Sequence, residues 1–76
     1  MNKDRRKTID EARDLIERAK ALLEQAAGEE EEYRDNLPES FQSGDRGQKA
    51  DAACDALNET VSNLEEALSG CETAAE

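Results

Sequence analysis

The chain contains no histidine and no tryptophan, two aromatic residues (Tyr33 and Phe41), one proline (Pro38) and two cysteines (Cys54 and Cys71). Each shortage removes a class of function. General acid–base and nucleophilic catalysis usually employ histidine, or a cysteine activated by one, and a chain of 76 residues builds no concave frame able to desolvate a carboxylate pair. An enzyme is therefore not expected. Two thiols with no neighbouring Cys or His make a poor zinc site, and no cofactor is called for. On one straight helix Cys54 and Cys71 would fall about 25 Å apart, beyond disulfide reach, and they read as small core residues of a reducing cytoplasm. Pairing across a dimer is the alternative. The sequence shows no signal segment and no membrane-spanning run, so a cytoplasmic location is expected and the triplet Asn58-Glu59-Thr60 is read as a chance match to a glycosylation site.

Cations are the other scarcity. Twenty Asp and Glu face ten Lys and Arg, giving a formal net charge of −10, and no basic residue follows Lys49. Such a field favours basic partners and repels nucleic acid and anionic membranes. A hydrophobic share of 36% beside 39% charged residues approaches the composition of disordered chains, which bury too little to offset their entropy. Periodicity decides otherwise.

Apolar residues at Ile9, Ala12, Ile16, Ala19, Leu23 and Ala26 alternate steps of three and four, with Leu15 and Leu22 widening the stripe on one side. This predicts a core-facing helix over about 4–34, running through Gly28, which costs about 1 kcal/mol relative to Ala. Thr8 and Glu11 have the spacing of a capping box, while Asn2 offers an earlier start. A second stripe reads Ala50, Cys54, Leu57, Val61, Leu64, Leu68 and Cys71, with Ala53 and Ala67 alongside, and predicts a helix over about 45–69. Asp45 and Gln48 resemble a capping pair, and Gly70 stands where a left-handed residue would close that helix before a short tail.

Between them, at 35–45, Asn36 and Glu39 are spaced as a cap pair and Pro38 fits the first turn of a short helix. Gly44 and Gly47 free the backbone to reverse, and Leu37 with Phe41 would cover the end of the turn, or Phe41 would anchor a partner. Matched helix lengths predict an all-α antiparallel two-helix hairpin forming one domain. So small a domain needs reinforcement, and dimerisation into a four-helix bundle is expected, with Leu15, Leu22, Leu57, Val61 and Leu64 carrying the contact. In that hairpin the basic start, Lys3, Arg5, Arg6 and Lys7, would lie beside Glu65, Glu66, Glu72 and Glu76, each exposed pair being worth about 0 to 1 kcal/mol. A basic arm for nucleic acid is the alternative, which the remaining acidity opposes.

Asp51, Asp55 and Glu59 recur every fourth residue, about 6 Å apart along one helical face, on the same scale as charges along a nucleic acid strand. A solvated face that keeps a small protein soluble has the same pattern. The run of four glutamates at 29–32 points around its helix and converges on no metal; solvation is its expected role.

The segment YRDNLPESFQSGDRGQKADAACDALNETVSNLEEAL, about half of the chain, resembles a stretch found in small helical proteins of bacteriophages and prophages. D-N-L-P-E-S-F-Q, an acidic-Arg-Gly turn and a Leu-Glu-Glu-Ala helix end carry the resemblance. It implies a phage-related helical protein of the bacterial cytoplasm and brings no catalytic or binding residues. Two functions are then open. One is an inhibitor that presents Asp51, Asp55, Glu59, Glu65 and Glu66 to the basic groove of a host nucleic-acid-binding enzyme, such as a CRISPR effector or restriction enzyme. The other is a dimerising structural module whose helix-packing residues, Ile9, Leu15, Ile16, Leu22, Leu23, Leu57, Val61, Leu64 and Leu68, are the whole of its function.

Overall fold

A computed structural model describes residues 1–76 as three helices, α1 (Lys3–Asp35), α2 (Glu39–Gln42) and α3 (Asp45–Ala74), with no strand. The expected hairpin is present: α1 and α3 pack along each other, and α2 sits in the turn against the start of α3.

Local chemistry sets most of the helix ends. Asn2 is the N-cap of α1, and its side-chain oxygen accepts a hydrogen bond from the Arg5 backbone N–H at 2.8 Å. Thr8 is not a cap; one turn further in, its hydroxyl donates to the Asp4 carbonyl at 3.1 Å. At the other end Asn36 is the C-cap and its N–H returns to Glu32. Pro38, which lacks the donor a continuing helix needs, immediately precedes α2. Gly44 caps α3 without any side-chain bond, so Asp45 serves in the first turn, where its charge meets the positive end of the helix dipole.

Gly70 does not stop α3, which continues to Ala74. No glycine has a positive φ, so the left-handed closure expected there does not form. Leu68 and Cys71, half-buried on either side, hold the backbone in the helix through a single glycine that costs about 1 kcal/mol.

The contact face of α1 also differs from the expected one. Ala12 is exposed and Ala19 and Ala26 are only half-buried, while Arg13, Lys20, Ala27 and Arg34 line the seam with Ile9, Ile16 and Leu23. Lys20 and Arg34 lay their methylenes along the seam and keep their charges at its edge, while Arg13 buries its Nε there without a hydrogen-bond partner, which an apolar-only reading leaves out. The reach of the first two is used: Lys20 Nζ lies 3.4 Å from Glu65 Oε1 and Arg34 Nη1 lies 3.3 Å from Asp51 Oδ1. On α3 the seam is Ala50, Cys54, Leu57, Val61, Leu64 and Leu68, as the heptad pattern predicts.

Only four residues are fully buried, Ala27, Gly47, Ala50 and Cys54, all towards the turn. Small side chains there let the helices approach closely, and Gly47 lets α3 pass against the backbone of α2. A Cβ at position 47 would overlap the Gln42 carbonyl and lie 2.8 Å from the Gln42 Cα. Elsewhere the seam is half-buried. The molecule is a rod of 58 × 14 × 13 Å with a radius of gyration of 17.2 Å, against about 11 Å for a compact chain of this length. Its accessible surface, 5679 Å², exceeds the roughly 4,600 Å² of a globular monomer of this mass by about 1,000 Å².

Candidate interaction surface

Because Lys20 is level with Glu65 and Arg34 with Asp51, the two helices run antiparallel in a fixed stagger. One flank of the rod is tied by these ion pairs. Arg34 stands at its turn end, with Nε donating to Asp35 at 3.3 Å while Nη1 reaches Asp51. The hydrogen bond to Asp35 raises its pKa further above the ordinary arginine value, burial opposing and the charges of Asp35 and Asp51 assisting. Gln42 closes the neighbouring hollow by donating to the Leu37 carbonyl at 3.0 Å.

The five carboxylates expected to face a partner are all exposed, but the structure divides them. Asp51 and Glu65 face α1, each against a cation, and are partly neutralised. Asp55, Glu59 and Glu66 form no ion pair and point from the back of α3, on the side away from α1. Along the helix Asp55 and Glu59 are about 6 Å apart and Glu66 lies about 10 Å further, both wider than the roughly 3.4 Å between charges on one DNA strand, so this face matches a nucleic acid in sign and linear form rather than in charge density. No cation on α3 beyond Lys49 interrupts it.

The basic start is not beside the acidic end of α3. With Lys20 level with Glu65, Ala74 reaches only to about Glu11, and the first turns of α1 run past it. Lys3, Arg5, Arg6 and Lys7 take part in none of the molecule's ion pairs, nor do the glutamates at 29–32.

Among the apolar residues assigned to a dimer contact, Leu57, Val61 and Leu64 are instead half-buried against α1, since α3 has only one fully apolar face and the hairpin uses it. Leu15 and Leu22 remain open, 63% and 65% exposed. Phe41, 47% exposed, covers little of the turn; the Arg46 guanidinium lies over its ring, 5.4 Å from the centroid. Leu37 is half-buried. Both cysteines are free. Burial pushes the Cys54 thiol above its ordinary pKa, with Arg34 pulling the other way. No group of three or more potential ligands is placed to hold a metal ion, and no helix is long and apolar enough to cross a membrane.

These features define an all-helical hairpin with one acidic back, one ion-paired flank and two exposed leucines on the other. Comparison with protein-family models, characterised proteins and solved structures finds no match to this chain.

Proposed function

We propose that the chain is a non-enzymatic interaction protein of phage type, acting in the bacterial cytoplasm as an inhibitor. Its acidic back occupies the basic nucleic-acid groove of a host defence enzyme of the CRISPR or restriction class. The observation that carries this reading is the unpaired row Asp55, Glu59 and Glu66 on a helix with no cation after Lys49. A positive groove attracts such a row over long range and docks it by charge complementarity. Asp51 and Glu65 contribute from the edge of the same surface. Nucleic acid itself is repelled by the same field and is not a ligand.

The test is capture of nucleic-acid-binding enzymes from a bacterial lysate by the tagged protein, repeated at low and high salt and with Asp55→Lys, Glu59→Lys and Glu66→Lys combined. The wild type retains a nuclease at low salt, releases it as salt screens the contact within about 10 Å, and the triple variant retains none. Capture unaffected by salt and by the three reversals would refute the reading.

Leu15 and Leu22 support a second element: the hairpin acts as a homodimer, two copies forming a four-helix bundle. Where the protein captures only itself and charge reversal changes nothing, dimerisation is its whole function and acidity serves solubility.

A further inference from the structure

The apolar flank repeats its pattern in reverse about one level of the rod. On α1, residues at 12, 15, 19, 22 and 26 share a side of the helix about 90° from the seam, at 100° per residue, and read Ala, Leu, Ala, Leu, Ala. Read from either end the order is the same, with Ala19 at its centre. On the same flank of α3, positions 60, 63, 67, 70 and 74 read Thr, Asn, Ala, Gly, Ala, small or short throughout and spaced to within about half a residue of symmetry about Ala67. The Lys20–Glu65 and Arg34–Asp51 pairs place Ala19 and Ala67 within about one residue rise, 1.5 Å, of the same level. A single two-fold axis across the rod therefore passes through both helices at matching points.

The two ends of α1 carry opposite charge, basic at 3–7 and acidic at 29–32. Turning one copy of α1 end over end about a point between Arg18 and Ala19 brings Leu15 level with Leu22 of the second copy, and Arg5 and Lys7 level with its glutamates at 29–32. Within one chain these two groups are about 35 Å apart along a single helix and cannot meet. Both are free of ion pairs in the hairpin. A parallel pairing would set cations on cations. The rod as a whole exposes about 1,000 Å² more than a compact monomer of its mass, on the order of the roughly 800 Å² each partner buries in a stable interface.

We infer that the occupant of this flank is a second copy of the chain, docked with α1 antiparallel to α1 and α3 antiparallel to α3 about an axis through Ala19 and Ala67. The inference rests on the homodimer reading above and specifies its face and register. The acidic backs of both α3 helices then stay outward, and each basic first turn is covered by the partner.

Cysteine cross-linking tests it. Ala19→Cys and Ala67→Cys are made separately with Cys71→Ser, leaving the buried Cys54 in place, and oxidised in air with a copper catalyst after helicity is checked by circular dichroism. A residue on a two-fold axis meets itself within the 4.4–6.8 Å Cα separation a disulfide allows, so each variant alone runs as a covalent dimer on a non-reducing gel. Light scattering on the uncross-linked protein separates the two levels of the proposal. A dimer in which neither variant links to itself, while a mixture of the two does, would place α1 on the partner's α3 and overturn the register but not the dimer. A monomer at every concentration would overturn both. Charge exchange gives a second readout: Arg5→Glu with Lys7→Glu weakens dimerisation about tenfold at low salt, Glu29→Lys with Glu30→Lys does the same, and the four together restore it to within about twofold. Four reversals that weaken additively would also overturn the register.

Discussion

Replacing Gly47 by alanine destabilises this protein, whereas the same change at Gly28 or Gly70 stabilises it. All three glycines lie inside helices, so each gains the same intrinsic helix propensity on acquiring a methyl group, about 1 kcal/mol. Surroundings decide the sign. At Gly28 and Gly70 a Cβ meets nothing within 4 Å, and the propensity gain stands alone. At Gly47 the Cβ overlaps the Gln42 carbonyl group and lies 2.8 Å from the Gln42 Cα, which are main-chain atoms of α2 and cannot rotate aside. Relief requires the turn to move away from α3, opening the close packing around Ala50 and Cys54. Overpacking of this kind costs about 1–3 kcal/mol, and a shifted backbone falls at the upper end, leaving a net loss of about 1–2 kcal/mol after the propensity gain. Thermal unfolding followed by the helical circular dichroism signal, at one fixed protein concentration, reads the difference. For a domain of this size the expected shifts are about 4–16 °C downward for Gly47→Ala and about 4–8 °C upward for Gly28→Ala. Equal upward shifts at positions 28 and 47 would refute the close approach of α2 to α3.

Further outcomes follow from the same structure. Asn2→Ala removes the acceptor of the Arg5 N–H and costs about 0.5–2 kcal/mol, read as a lower denaturation midpoint with fraying confined to the first turn in amide exchange; an unchanged midpoint would place the start of α1 elsewhere. Cys54, 1% exposed, reacts with a thiol reagent far more slowly than the half-buried Cys71, and equal rates would show the seam to be open. Burial holds the Cys54 proton more tightly in the folded state, so the stability it contributes is complete below the ordinary thiol pKa of about 8.5 and is lost as pH rises through the raised folded value. The unfolding midpoint therefore falls on the alkaline side of neutrality, and Cys54→Ala flattens that slope; an identical slope in the variant would refute the assignment.

Two helices, their antiparallel return and the break between them were legible in the chain itself. Heptad spacing from Ala50 to Cys71 needs no partner to be read, and Pro38 with Gly44 marks a turn because one lacks an N–H and the other tolerates any backbone angle. The acidity of α3 was equally visible, since charge is a sum over residues. What the sequence did not disclose was direction. Alanines at 12, 19 and 26 and the residues Arg13, Lys20, Ala27 and Arg34 occupy neighbouring sides of the same helix, and hydrophobicity alone chooses the alanines.

Packing chose the other side, because two long cations reach Glu65 and Asp51 while their methylenes cover the seam, and the rotation that allows this leaves Leu15 and Leu22 in water. The same rotation divided the acidic residues, neutralising Asp51 and Glu65 and freeing Asp55, Glu59 and Glu66. Gly70 carried a stop signal that α3 ignores, and Gly47 looked like loop flexibility until α2 was seen against it. Residue types and their periods fix which elements form, being local properties. How far each helix turns about its own axis depends on side chains distant in sequence meeting in space, so only the folded hairpin decides it.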